Sequence, residues 1–193
     1  GRPCSFQLLG PDLSDPIPVV QGKIARLMGH PQVEVLTDHA LVKAVGFLGN
    51  FEVTVRSLGP ATVDRQIKVG AVILATGAQL SDHRHLLPHG EKMDDVLTAQ
   101  EFEDMNRGGT IHRKDGSSPR SVAIVHCVGR EIKGYCSAVC CTYGLKFSSY
   151  LKRKQHDVKV FHLYRDLCIP GKGHQAFCED VVRDGVELLR AAG

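Results

Sequence analysis

Four of the chain's seven cysteines fall within fifteen positions of the stretch HCVGREIKGYCSAVCC, residues 126–141. Cys140 and Cys141 are adjacent, and Cys136 precedes Cys140 by four. A thiolate is a nucleophile, a redox centre and a metal ligand, whereas a buried neutral thiol packs like a small hydrophobe. Four in so short a span is dense for packing alone. Redox disulfides more often use C-x-x-C, and zinc sites usually pair C-x2-4-C knuckles at two separated places. Adjacent cysteines on a helix fit the zinc pattern poorly. By count alone, four thiolates hold zinc or an iron–sulfur cluster equally well. On a helix, Cys136 and Cys140 share a face and Cys141 lies about 100° further round. The three converge on one object only if Cys136 sits in the loop before the helix or at its cap, where Ser137 is the expected N-cap.

The elements that must position these thiols are legible around them. SVAIVHCV, with Cys127 near its C-terminal end, reads as a buried strand, 137–155 as a helix, and VKVFHLY (158–164) as the next strand. Strand–helix–strand makes a Rossmann-like βαβ unit. In such a unit a glycine-rich turn normally seats a phosphate on the helix N-terminus. Here the turn keeps only Gly129 and Gly134 and is filled with thiols, which argues against a dinucleotide and for a ligand that wants sulfur. The helix dipole at that end favours thiolates, and Arg130 and Lys133 add positive charge that raises the potential of a bound cluster. A last helix is expected near 174–183, and the Asp184-Gly185 pair makes GVELLR a further strand.

Upstream, the Pro- and Gly-rich residues 1–18 read as loop, and VVQGKIARLMGH as a helix. VEVLT (33–37) is an expected strand, and ALVKAVGFLGNFEVTVRSL an expected hairpin turning at Gly49-Asn50, with Leu41, Lys43 and Val45 alternating. RQIKVGAVILATGA ends in an apolar run, Ala71 to Ala75, that suits a strand buried on both faces. Thr98, with Glu101 three residues later, caps a short helix over 98–106.

Composition narrows the function. The net charge of +3 comes without a basic run, and eleven Phe and Tyr with no Trp leave little for base stacking, so nucleic-acid binding is not expected. No apolar run reaches the roughly 18 residues of a membrane span, and there is no signal-peptide pattern. An odd, clustered cysteine set points to a reducing, cytoplasmic setting rather than a disulfide scaffold. Cys168 and Cys178 read as core or secondary redox thiols, and Cys4 has no nameable partner. His83, His85 and His89 lack a supporting carboxylate pattern and read as a polar loop. Tyr135 and Tyr143 flank the cluster as shields, and LKRKQHD is a solvated helix end. No buried acid–base pair is visible, so no proton-transfer residue is assigned.

Two stretches resemble a known family. VGAVILATGA (69–78) resembles the strand and ATG loop closing the flavin-binding domain of thioredoxin-reductase-like flavoproteins, which implies that Ala75, Thr76 and Gly77 lie against FAD. C-V-G, then Y-C-S-x-V-C-C-x-Y, a strand ending Y-x-D, and G-K-G before a helix resemble the A-type flavoprotein subunit of CoB–CoM heterodisulfide reductase and its quinone-interacting relatives. The likeness runs over roughly residues 30 to 190. It implies a 4Fe–4S cluster on Cys127, Cys136, Cys140 and Cys141, FAD in the full-length context, and other subunits of a redox complex as partners, with a homodimer also allowed. This sequence departs from the family in a shorter loop between Cys127 and Cys136, in Arg130-Glu131 where S-R-D is usual, and in lacking a ferredoxin-type cysteine quartet and G-x-G-x-x-G.

The expected fold is therefore α/β, a thioredoxin-reductase-like segment. It joins a hairpin-containing end of an FAD domain to a Rossmann-like βαβ unit. The expected spans are an N-terminal loop (1–18), a partial FAD-domain segment (19–80), a connector (81–118) and a βαβ domain with the cysteines (119–193). The expected function is an electron-transfer segment of a larger oxidoreductase, inactive alone. The alternative is an assembly module with a Cys4 zinc site or free redox thiols.

Overall fold

In a computed structural model, residues 6–77, 84–86 and 93–191 are described. The fold is mixed α/β with two three-stranded sheets. The chain divides into two compact units, residues 21–78 and residues 1–20 with 79–193. Cys4, His83 and His89 lie outside the described residues.

The first sheet is an antiparallel meander. β1 (His39–Phe47) pairs with β2 (Asn50–Ser57), and β2 with β3 (Asp64–Val69). The hairpin is present, but Phe47 pairs with Asn50, so the turn is Leu48-Gly49, one residue earlier than expected. Gly49 supplies the positive φ of +92° that the tight turn demands. A bulge between Leu41 and Lys43 breaks the expected alternation, so that Lys43 faces Thr54 while Leu41 faces Val55. Preceding the sheet, α1 spans Pro16–Met28, starting inside the segment read as loop. Proline is at home there, because the first helical turn needs no N–H.

Two expected strands do not form. Residues 33–37 and 71–77 join no strand ladder among the described residues, and Ile73 and Leu74 are 88% and 77% exposed. An apolar run becomes a strand only where a neighbour takes its backbone groups, and here no neighbour is offered.

In the second unit, β4 (Ser121–Val125), β5 (Lys159–Tyr164) and β6 (Val186–Arg190) lie parallel in sequence order. α4 (Cys140–Lys154) joins β4 to β5, and α5 (His174–Arg183) joins β5 to β6, so the βαβ unit and the final strand form as read. α2 (Ala99–Arg107) carries the full capping box of Thr98 and Glu101. The core joins Leu145, Phe147 and Leu151 of α4, Phe177 and Val181 of α5, Val160 and Val186 of the sheet, and Phe102 of α2. β4 is not buried on both faces: Val122 and Ile124 turn inward, whereas Ala123 and Val125 are exposed. No described helix is long and apolar enough to cross a membrane.

Candidate metal centre

The site lies where β4 and β5 end and α4 begins. Between them the chain makes a loop with a single helical turn, α3 (Arg130–Lys133), held by Gly129 and Gly134 in left-handed conformation at its two ends. Cys127 and Ala138 also take positive φ, +62° and +57°. Left-handed backbone costs a non-glycine residue about 1–3 kcal/mol and persists only where the surroundings impose it. Here both strained residues border thiols.

This path gathers the sulfurs. Cys127 and Cys141 each donate to the backbone oxygen of Asp166, at 3.9 Å in both cases. Cys140 contacts Cys141 directly, and Ser137 hydrogen-bonds to Cys140. Cys136 accepts from the Ala138 N–H at 3.4 Å. Cys141 accepts from the Cys168 N–H at 3.4 Å, and the Cys168 thiol hydrogen-bonds to Cys136. N–H donors aimed at sulfur stabilise thiolate and the anionic charge of a sulfur-ligated metal. Ser137 is not the helix cap: Val139 takes that position without a side-chain bond, so the first N–H groups of α4 have no capping partner.

The electrostatics follow. Hydrogen bonds from Cys141 and then His126 hold Cys140 well below the ordinary thiol value, while the same pairing and burial push Cys141 well above it. Arg130 pairs with Asp166 at 2.6 Å and hydrogen-bonds to Cys127, and both contacts favour its charged form. Asp166 is held low chiefly by that bond.

Sequence reasoning missed two participants. Cys168, read mainly as core, belongs to the cysteine cluster. His126 lies in the quoted stretch, yet its ring nitrogen, Cys140 Sγ and Cys141 Sγ all sit within 4.8 Å of one another. Cys178 is in the core. Tyr135 is exposed, and Tyr143 turns its ring toward Phe6, Phe147 and the Lys146 ammonium. Ala75, Thr76 and Gly77 form an exposed, unpaired stretch after β3, with Gly77 at φ +79°.

The donors fit a metal in part: His126, Cys140 and Cys141 come within 4.8 Å of one another, Cys127 and Cys136 of the expected set lie outside that group, two of the sulfurs accept N–H groups, and an uncapped helix end lies beside them. No protein-family model matches the chain. About two thirds of it aligns with A-type subunits of heterodisulfide reductases. It is 34% identical over 140 residues to one of the A-type iron–sulfur subunits of CoB–CoM heterodisulfide reductase in Methanopyrus kandleri. Against the A-type subunit of the H2:CoB–CoM heterodisulfide,ferredoxin reductase of Methanothermobacter thermautotrophicus, identity is 37% over 137 residues. It is 32% over 136 residues with the A-type subunit of the ferredoxin/F420H2-dependent CoB–CoM heterodisulfide reductase of Methanosarcina acetivorans. These alignments cover 65% of this chain, and 21%, 21% and 17% of the three relatives. The chain thus spans about a fifth of the length of the curated relatives it matches, and the resemblance read from its motifs is borne out.

Proposed function

We propose, from this likeness to a segment of the A-type subunit of heterodisulfide reductases, that the chain is the electron-transfer part of a flavin- and iron–sulfur-dependent oxidoreductase. Cys127, Cys136, Cys140 and Cys141 would hold a 4Fe–4S cluster, with other subunits of a redox complex as partners in a reducing, cytoplasmic setting. In finer detail, residues 19–80 would be the end of an FAD domain and residues 119–193 a Rossmann-like unit. The observation that supports the reading is the linked set of sulfurs: Cys127 and Cys141 share one backbone acceptor, Cys140 contacts Cys141, and Cys136 is tied in through Cys168, whose N–H donates to Cys141.

Such a cluster supplies one-electron storage when bound. The chain's own residues do the rest. The Ala138 and Cys168 N–H groups and the start of α4 offset negative charge on the sulfurs. Arg130, anchored by Asp166, adds a fixed cation beside Cys127. The exposed loop at Ala75, Thr76 and Gly77 would meet FAD in the longer protein, and the chain alone should not bind FAD tightly.

Anaerobic reconstitution with iron and sulfide tests this. About four irons per chain are expected, with absorption near 400 nm and an EPR signal on reduction, and Cys140→Ser should lose iron. Wild-type protein that binds no iron, or a Cys140→Ser variant that keeps its full content, would sink the cluster. A second reading is supported by one observation, His126 beside Cys140 and Cys141, since mixed imidazole and thiolate donors are what zinc takes. Stoichiometric zinc retained after treatment with iron and sulfide would favour it.

A further inference from the structure

The face of the second sheet that meets α4 should be apolar throughout. In register it runs Val122, Val160 and Val186, then Ile124, His162 and Leu188, and His126 follows two residues after Ile124, just past the end of β4, with its N–H on Leu163 O. Two histidines therefore stand where the period-2 pattern calls for aliphatic side chains, and both are buried, His162 completely. Their ring planes are within 22° of each other and their centroids 4.9 Å apart. His126 Nε2 meets His162 Nδ1 at 2.7 Å, and His162 Nε2 meets Ser148 Oγ of α4 at 2.6 Å. The helix leaves room for this: a Cβ on Gly144 would stand 2.6 Å from His126 Cε1 and 3.0 Å from its Nε2. A glycine inside a helix costs about 1 kcal/mol relative to alanine, so the position gives up helix propensity to seat an imidazole.

The direction of the chain follows from its far end. In an α-helix the Gly144 carbonyl takes the Ser148 N–H, and the Ser148 hydroxyl lies 3.4 Å from that oxygen, long for an O–H···O bond. The hydroxyl proton thus belongs to the 2.6 Å contact with His162 Nε2. A ring nitrogen that accepts carries no proton, so His162 is a neutral imidazole with its one proton on Nδ1, pointing at His126 Nε2, and burial favours that neutral form. That leaves His126 with its proton on Nδ1, the nitrogen not committed to His162.

We propose that Ser148, His162 and His126 form a hydrogen-bond chain polarised in one direction, which ends in an N–H donated from His126 Nδ1 to the sulfur of Cys140. His126 is then a positioning residue that draws electron density from one thiolate. A protonated Nδ1 cannot bind metal, so the same chain keeps His126 out of the ligand set. The effect on a cluster rests on the function proposed above, whereas the direction of the hydrogen bonds does not.

Two measurements on the full chain separate these points. In reduced, metal-free protein, long-range 15N–1H correlation spectra should show both His126 and His162 as neutral Nδ1–H tautomers. An Nε2–H tautomer at either residue overturns the proposal. In iron-loaded protein, His126→Leu should keep its iron but show a lower midpoint potential. His126→Asn, whose amide N–H takes the place of Nδ1–H, should stay close to wild type. Ser148→Ala, a smaller change that guards against misfolding of the Leu variant, should shift the potential the same way by less. Equal potentials in wild type, His126→Leu and Ser148→Ala would overturn the tuning role. If wild-type protein takes up no iron, the proposed function falls, and the tautomers alone decide the hydrogen-bond chain.

Discussion

Gly144 shows how a single residue constrains the site. A Cβ there would also meet Ile124 Cγ2 at 3.1 Å, so the ring cannot retreat toward the sheet. Alanine is the better helix former by about 1 kcal/mol, but forcing a methyl into a filled core costs about 1–3 kcal/mol. The second effect wins here because the neighbours are a strand residue and a ring tied to His162. Gly144→Ala is therefore expected to destabilise the unit that holds it in urea denaturation. Gly22→Ala in α1, where a Cβ meets nothing within 4 Å, should stabilise its helix by about 1 kcal/mol. If Gly144→Ala proves as benign as Gly22→Ala, His126 is not locked against the helix. This glycine was also the one sequence signal for the buried histidines. Cysteine spacing drew attention to residues 127–141, but His126 and His162 are 36 positions apart and meet only through parallel register. An unexplained glycine in a helical run marks close approach without naming the partner. Cys168 was illegible for a similar reason: it approaches Cys136 and Cys141 from the far end of β5.

At the scale of elements, local rules were legible and borrowed partners were not. The capping box at Thr98 needs only residues three apart, and it forms: the Thr98 N–H donates to Glu101 Oε2 at 2.6 Å and the Glu101 N–H to Thr98 Oγ1 at 3.3 Å. The cationic end of α4 was read as solvated, yet Lys154 Nζ donates to Asn106 O at 2.6 Å and Gly109 O at 3.1 Å. It thereby closes the C-terminus of α2, where helix carbonyls lack internal partners. Lys152 similarly donates to Val158 O at 2.9 Å. The expected strands at 33–37 and 71–75 fail by the same logic, since pairing depends on what lies alongside. Thr98→Ala should cost about 1 kcal/mol, and Lys154→Met somewhat less, because Asn106 O keeps the Gly109 N–H at 3.1 Å and Gly109 O alone loses its lysine partner. The two sites cap opposite ends of one helix and share no partner, so their costs should add within about 0.5 kcal/mol. Urea midpoints of the two single variants and the double variant check this. A double variant no worse than either single one would mean that α2 frays as a whole once one end is lost.

Over the whole molecule, the two units differ in what holds them. The unit with the cysteines has a continuous core drawn from α2, α4, α5, β5 and β6. It also has a buried ion pair, Lys146 with Glu103 at 2.9 Å, in which the ammonium lies 4.3 Å and 4.2 Å from the ring centroids of Phe6 and Tyr143. Such a pair is a poor source of net stability, but losing either partner leaves a charge stranded. Tyr150 adds its hydroxyl to Glu103 and Leu8, which ties residues 6–8 to the same core. In the unit of residues 21–78, Val53 is the one buried side chain among the described residues. Leu41, Val45, Phe47, Val63, Ile73 and Leu74 are exposed. A three-stranded sheet persists when it buries an apolar face, and this one buries almost none. Surface ion pairs such as Arg56–Asp64 and Arg65–Glu34 cannot substitute, because exposed pairs contribute little. Unfolding is therefore expected in two steps rather than one. Native-state hydrogen exchange should show amides of β1–β3 exchanging first, at low urea, while those of β5 and α4 stay protected until a later transition. Under the same low urea, iron bound at Cys127, Cys136, Cys140 and Cys141 should remain, since every residue of that site lies in the second unit. A single cooperative transition that releases iron and opens β2 together would show that the meander draws stability from a source its own side chains do not supply.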